Sequence, residues 1–87
     1  MLRILCLIDG GRDETIKLEG SLHGPWVDEL RKVLNSATAR PDRIRLDLSA
    51  LTYLDEDGRE LLCEWLRRGA EVMACTRYVA AVLQLEE

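Results

Sequence analysis

Residues 43–58 read Arg-Ile-Arg-Leu-Asp-Leu-Ser-Ala-Leu-Thr-Tyr-Leu-Asp-Glu-Asp-Gly, and the rest of the chain is organised around them. The stretch opens in strict alternation, with Ile44, Leu46 and Leu48 in one phase and Arg43, Arg45 and Asp47 in the other. A period of two is the pattern of a strand with one buried and one wet face. A short apolar passage through Leu51, Tyr53 and Leu54 follows, and the chain then turns acidic at Asp55, Glu56 and Asp57 before Gly58. Leu61, Leu62, Trp65 and Leu66 come next at helical spacing. The stretch therefore predicts a strand, a tight connection and a helix, with three carboxylates where the helix begins. Function is expected at that junction.

Upstream, Leu2 to Ile8 is apolar in both phases except for Arg3, which predicts a strand covered on both sides or central in its sheet. Residues 9–13 hold Gly10 and Gly11 and read as a compact turn. Alternation over 15–19, with Ile16 and Leu18 against Thr15, Lys17 and Glu19, completes a hairpin. Gly20, Ser21, Leu22, His23, Gly24 and Pro25 form a second break, and Pro25 suits the first turn of a helix. That helix carries its apolar stripe on Trp26, Leu30, Val33, Leu34 and Ala37, and ends in 38–42 with Pro41.

Downstream, Asp57 is expected to cap the second helix, with Glu60 three residues on completing a variant of the capping box. Gly69 suits the left-handed position after that helix. Residues 70–75 fit a fourth strand, and Thr76 caps a last helix with Val79, Val82 and Leu83 on one side and a frayed tail at Glu86 and Glu87. The order β-β-α-β-α-β-α predicts a single small α/β domain spanning 1–87, with a four-stranded mixed sheet and helices mainly on one face.

Bulk composition narrows the function. With 87 residues, 47% of them apolar and 32% charged, the chain is a globular domain near the small end of what folds alone. A formal charge of −4 is the wrong sign for nucleic acid, and the adjacent pair Arg67 and Arg68 closes a helix, where cations complement the dipole. The longest apolar run is far short of the roughly 20 residues of a membrane span, and the amino terminus lacks the small-residue cleavage site of a signal peptide. Three dispersed cysteines, Cys6, Cys63 and Cys75, fit reduced thiols in or near the core of a cytoplasmic protein.

The central stretch also resembles the core motif of STAS domains, the anti-sigma-factor antagonist modules also found appended to anion transporters and in stress-signalling complexes. The matching residues are Leu46-Asp47-Leu48-Ser49, then Thr52-Tyr53-Leu54-Asp55, then Gly58, and Gly20-Ser21-Leu22 is similar to the end of the family's second strand. In that family a phosphorylatable Ser follows the strand-ending Asp, then another hydroxyl, then Gly and an aliphatic residue. Here Glu56 stands at the acceptor position, Asp57 at the next and Arg59 in place of the aliphatic residue. The resemblance implies a non-catalytic module that binds a protein partner through Asp55, Glu56, Asp57, Gly58, Arg59 and the second helix. It implies an anti-sigma factor or serine-kinase-like regulator as partner, with no phosphorylation expected at Glu56 and no cofactor. The alternative is a STAS-type subunit of a membrane-transport or stress-signalling assembly; a small nucleotide-binding domain is the competitor from another class.

Sharper chemical readings of the acidic corner fare worse. A calcium loop would need a carboxylate where Tyr53 stands and would place Leu61 and Leu62 inside the loop, so no metal is expected. Acid–base catalysis lacks a nucleophile or a second catalytic group, and no Gly-rich phosphate loop is present. The plainer reading is that acids stabilise a helix N-terminus by about 0.3–1 kcal/mol each, and that this corner is also recognised by a partner. His23 reads as a surface turn residue, Ser49 as a turn residue after the third strand, and Thr52 as a weak second candidate for a phosphate acceptor.

Overall fold

The central strand forms as its alternation requires, and it runs further than the alternation does. In the computed structural model, which describes residues 2–8, 13–37 and 40–84, the elements are β1 (Leu2–Ile8), β2 (Glu14–Leu22), α1 (Pro25–Ser36), β3 (Ile44–Leu54), α2 (Glu56–Arg67), β4 (Glu71–Cys75) and α3 (Arg77–Val82). A single 3-10 turn, Pro41–Arg43, leads into β3. The expected hairpin turn at 9–12, residues 38 and 39 after α1, and the tail at 85–87 lie outside the described residues.

The four strands lie in the sheet in chain order, β1-β2-β3-β4. β1 pairs antiparallel with β2, while β2 with β3 and β3 with β4 are parallel, so the sheet is mixed as expected. Ile16, Leu18 and Leu22 of β2 and Ile44, Leu46 and Leu48 of β3 bury into one core with Leu30 and Leu34 of α1, Leu61, Leu62 and Trp65 of α2, and Val79 of α3. The opposite phase of the same strands, with Lys17, Glu19, Arg45 and Ser49, stays half-buried or exposed. One sheet face therefore carries the helices and the other is open.

Two irregularities set the phase of β3. Its register with β2 shifts between Lys17 and Glu19, and again between Gly20 and Ser21. Each shift inserts one residue on the β3 side, so β3 spends 11 residues where β2 spends 9. The buried positions accordingly step from Leu48 to Leu51 and from Leu51 to Leu54, in place of strict alternation. Such bulges re-aim side chains at the end of a strand. Ser49 thus lies within β3, where a turn was expected. Its N–H and hydroxyl both donate to Asp47 Oδ1, at 3.1 and 2.7 Å, and these bonds hold the Asp47 carboxyl below the usual carboxylate range.

Three further expectations are corrected. β1 is an edge strand, with Arg3, Cys6 and Leu7 exposed, because β3 takes the other side of β2. Leu2 is buried in the core and Ile4 packs against it, but further along the strand Cys6 and Leu7 are uncovered, and Cys6 is accordingly outside the core. β2 continues through Gly20 to Leu22, where a break was expected. Val27 of α1 is buried although the stripe omitted it, while Trp26, Val33 and Ala37 flank the core. Gly69 does adopt positive φ (114°), and a Cβ there would meet Asp42 Cβ at 3.0 Å.

Candidate functional site

The junction between β3 and α2 is built around Asp55. Its Oδ1 accepts from Gly58 N at 2.8 Å, which makes Asp55 the N-cap of α2. Its Oδ2 accepts from Gly24 N at 3.1 Å, at the start of α1. Its own N–H donates to the Leu22 carbonyl at 3.0 Å, at the end of β2. One residue therefore ties two helix starts and a neighbouring strand together. The Gly58 N–H, then the Gly24 N–H and the nearby His23, hold its carboxyl below the usual range against partial desolvation. The cap was expected two residues later, at Asp57; the helix instead begins at Glu56 because Asp55 faces the amide three residues on. The capping box with Glu60 falls away with it.

Gly58 is buried at the closest approach of α2 to β2. A Cβ there would lie 3.0 Å from both Leu22 Cγ and the Leu22 carbonyl oxygen. The glycine is thus a packing requirement, and its φ lies outside the left-handed region.

The remaining corner residues point outward. The Glu56 side chain is 80% exposed, with Arg59 Nη2 3.9 Å from its carboxylate. Asp57 is exposed and lines a cleft of ≈350 Å³ between α1 and α2, together with Asp28, Glu60 and Glu64 and the buried Val27 and Leu61. Arg31, also in the cleft, donates to Asp28 at 2.9 Å. Asp55 and Gly58 are therefore brought together as structural residues, while Glu56, Asp57 and Arg59 form the accessible surface. Thr52 is bulged from β3, and its hydroxyl donates to the Gly20 carbonyl at 2.9 Å.

Sequence reasoning missed an aromatic group beside this corner. Tyr53 stacks on Tyr78 with centroids 6.5 Å apart and planes at 17°, and His23 meets Tyr53 edge-on at 6.2 Å. The Tyr78 hydroxyl donates to the Leu54 carbonyl at 3.4 Å. Tyr53 and Tyr78 are 48% and 42% exposed. Tyr53 was grouped with Leu51 and Leu54; the bulge at Thr52 turns it outward, and nothing in a residue pattern marks that bulge. Among the described residues no group of three or more His, Cys, Asp or Glu is placed to hold a metal ion, and no described helix is long and apolar enough to cross a membrane.

A mixed sheet with helices on one face and a capped helix start after the third strand defines an α/β module of the STAS type. The family model described as "Mlab, STAS domain" matches residues 9–85, and the chain belongs to that family. No curated protein sequence matches the chain. Among solved structures, the anti-sigma factor antagonist SpoIIAA in its unphosphorylated form superposes with a TM-score of 0.70 at 16% identity, over 97% of this chain and 84% of that one. The crystal structure of Mglu superposes with a TM-score of 0.68 at 21% identity. The chain covers 20% of Mglu, over 84% of its own length. At these identities the likeness is one of fold.

Proposed function

We propose that this STAS domain is a non-catalytic protein-interaction module of the cytoplasm. It binds a regulatory partner, an anti-sigma factor or a serine-kinase-like regulator, through Glu56, Asp57, Arg59 and the adjoining face of α2, on the corner that Asp55 and Gly58 hold in shape. The observation that supports this reading is Glu56 in the first turn of α2 with its side chain 80% exposed. A carboxylate stands, fully presented, where the resembling family carries a phosphorylatable hydroxyl. It carries about −1 charge against about −1.5 to −2 for a phosphoserine, and no kinase adds to it or phosphatase removes it. The interface is therefore unswitched at this position.

The same residue favours a second reading, a constitutive subunit of a membrane-transport or stress-signalling assembly, since a permanent interface needs no acceptor hydroxyl. Affinity capture from the native source, followed by Kd measurement on the purified partner with the parent, Glu56→Ser and Glu56→Lys, tests the proposal. Glu56→Lys is expected to weaken binding more than Glu56→Ser, because it reverses the charge and also repels Arg59. Equal affinity in all three would reduce the corner to a helix cap. Nucleotide binding or turnover by the purified domain would replace the reading with an enzymatic one.

A further inference from the structure

We infer that the outer edge of β1 is a self-association surface, along which a second copy of this chain lays its own β1 antiparallel to extend the sheet. This inference stands apart from the proposed partner site and uses none of its residues. β1 is the outermost strand, and its inner side pairs with β2 from Leu2 to Ile8 without a register shift. The strand is thus a regular edge of 7 residues. Alternate N–H and C=O groups of such a strand point away from the sheet, and among the described residues no strand pairs with them.

Proteins blunt exposed edges with charged residues, proline, bulges or short strands, and of these β1 has a single charge, Arg3. The opposite edge is guarded. β4 has 5 residues, begins with exposed Glu71 and carries a register shift beside Met73. The two edges of one sheet are therefore treated differently.

The side chains select the occupant. Leu2, Ile4 and Cys6 share the face of Leu18 and Ile16, while Arg3, Leu5 and Leu7 share the open face of Glu19, Lys17 and Thr15. A strand added beside β1 has to be apolar in both phases; β1 and β4 have that property apart from Arg3 and Glu71, and of the two β1 offers the longer edge and pairs without a register shift. Two copies paired antiparallel about Leu5 place Arg3 opposite Leu7 of the other copy and Ile4 opposite Cys6. The two arginines then lie at opposite ends of the pair, so no like charges face each other, and each arginine stem covers a leucine that is 56% exposed in the isolated chain. A contact of one short strand pair is small beside the ~1,200–2,000 Å² of a stable interface. The association is therefore weak and concentration-dependent.

Sedimentation of the chain from micromolar to millimolar concentration should show a reversible monomer–dimer equilibrium. In a Cys63→Ser, Cys75→Ser background, a short bismaleimide should link Cys6 to Cys6, since this register sets them diagonally across the pair at ~7–8 Å. The reaction is run above neutral pH, because packing around the thiol and the Glu14 carboxylate push it up. Leu7→Lys changes an exposed residue, should leave the circular dichroism intact, and should weaken the dimer about tenfold or more. Adding Arg3→Glu to Leu7→Lys sets an introduced carboxylate opposite an introduced ammonium and should restore association, with salt opposing the rescue. Arg3→Glu also replaces the 3.7 Å pairing of Arg3 with Glu19 by repulsion, so the fold of the double variant is checked first. A chain that is monomeric at every concentration overturns the inference. So does a dimer indifferent to Leu7→Lys that yields no Cys6 cross-link, and so does irreversible aggregation in place of a dimer.

Discussion

Asp55 concentrates several structural duties in one carboxylate, and its removal should be felt both at α2, which it caps, and at the start of α1, where it holds Gly24 N. Loss of an N-cap alone costs about 0.5–2 kcal/mol, and Asp55→Ala also releases Gly24 N at the start of α1. Denaturant midpoints should place Asp55→Ala at or beyond the upper end of that range, with Asp55→Asn milder because an amide oxygen can still accept. The pH dependence has a definite sign. The folded carboxyl titrates below its unfolded value, which is about 3.9 for an aspartate. The stability it contributes is thus complete above that unfolded value and is lost as pH falls through the lower folded one. Asp47 acts in the same direction, so the comparison of parent with Asp55→Asn across the acid range isolates the share of Asp55. A parent and variant with parallel acid profiles would contradict the clamp. Gly58→Ala tests the adjoining contact by its sign. Replacing Gly by Ala inside a helix ordinarily gains about 0.5–1 kcal/mol. Here the new methyl meets Leu22 side chain and carbonyl at 3.0 Å, and overpacking costs about 1–3 kcal/mol. The variant should be destabilised; a raised melting temperature would show that Leu22 yields freely.

At the scale of elements, α2 carries the largest single stake. Trp65 and Leu61 are 5% and 3% exposed in the core, and the Arg68 guanidinium lies 4.9 Å from the Trp65 ring centroid. Trp65→Ala should cost about 3–5 kcal/mol and Leu61→Ala about 2–5, against a total of about 5–15 for a domain. Unchanged midpoints in urea would mean that this face of α2 is not the core face. The stripe on α2 was legible because 3.6-residue spacing survives wherever a helix packs on a flat sheet. The element order was legible for the same reason, and so was the cap of α3, where Thr76 Oγ1 accepts from Val79 N at 3.2 Å. The bulges were not legible. They depend on how β3 keeps pace with β2 across the sheet, which is a relation between two strands. Tyr53 and Ser49 were misplaced for that reason. At the acidic corner, Asp55 and Gly58 were found from sequence but with their roles blurred, since three successive acids offer three candidate caps. Only the positions of the Gly24 and Gly58 amides choose between them.

For the molecule as a whole, the thiols give a direct check. Cys6, Cys63 and Cys75 are unpaired, so titration of the unfolded chain under non-reducing conditions should find 3 reactive thiols. A recovered disulfide peptide would contradict it. β1 was misjudged at this scale too. A strand apolar on both faces has the same composition at the centre of a sheet and at its edge, and only the order of strands in the sheet tells the cases apart. That order has a consequence for how the chain acquires its shape. The strands are laid side by side in the sequence in which they are synthesised, so no late strand is threaded between two that have already joined. Every ladder joins strands that are consecutive in the chain, which keeps the loops to be closed short and the entropic cost of closing them low. The sheet can therefore grow by accretion at the ribosome, each strand docking on one that emerged before it.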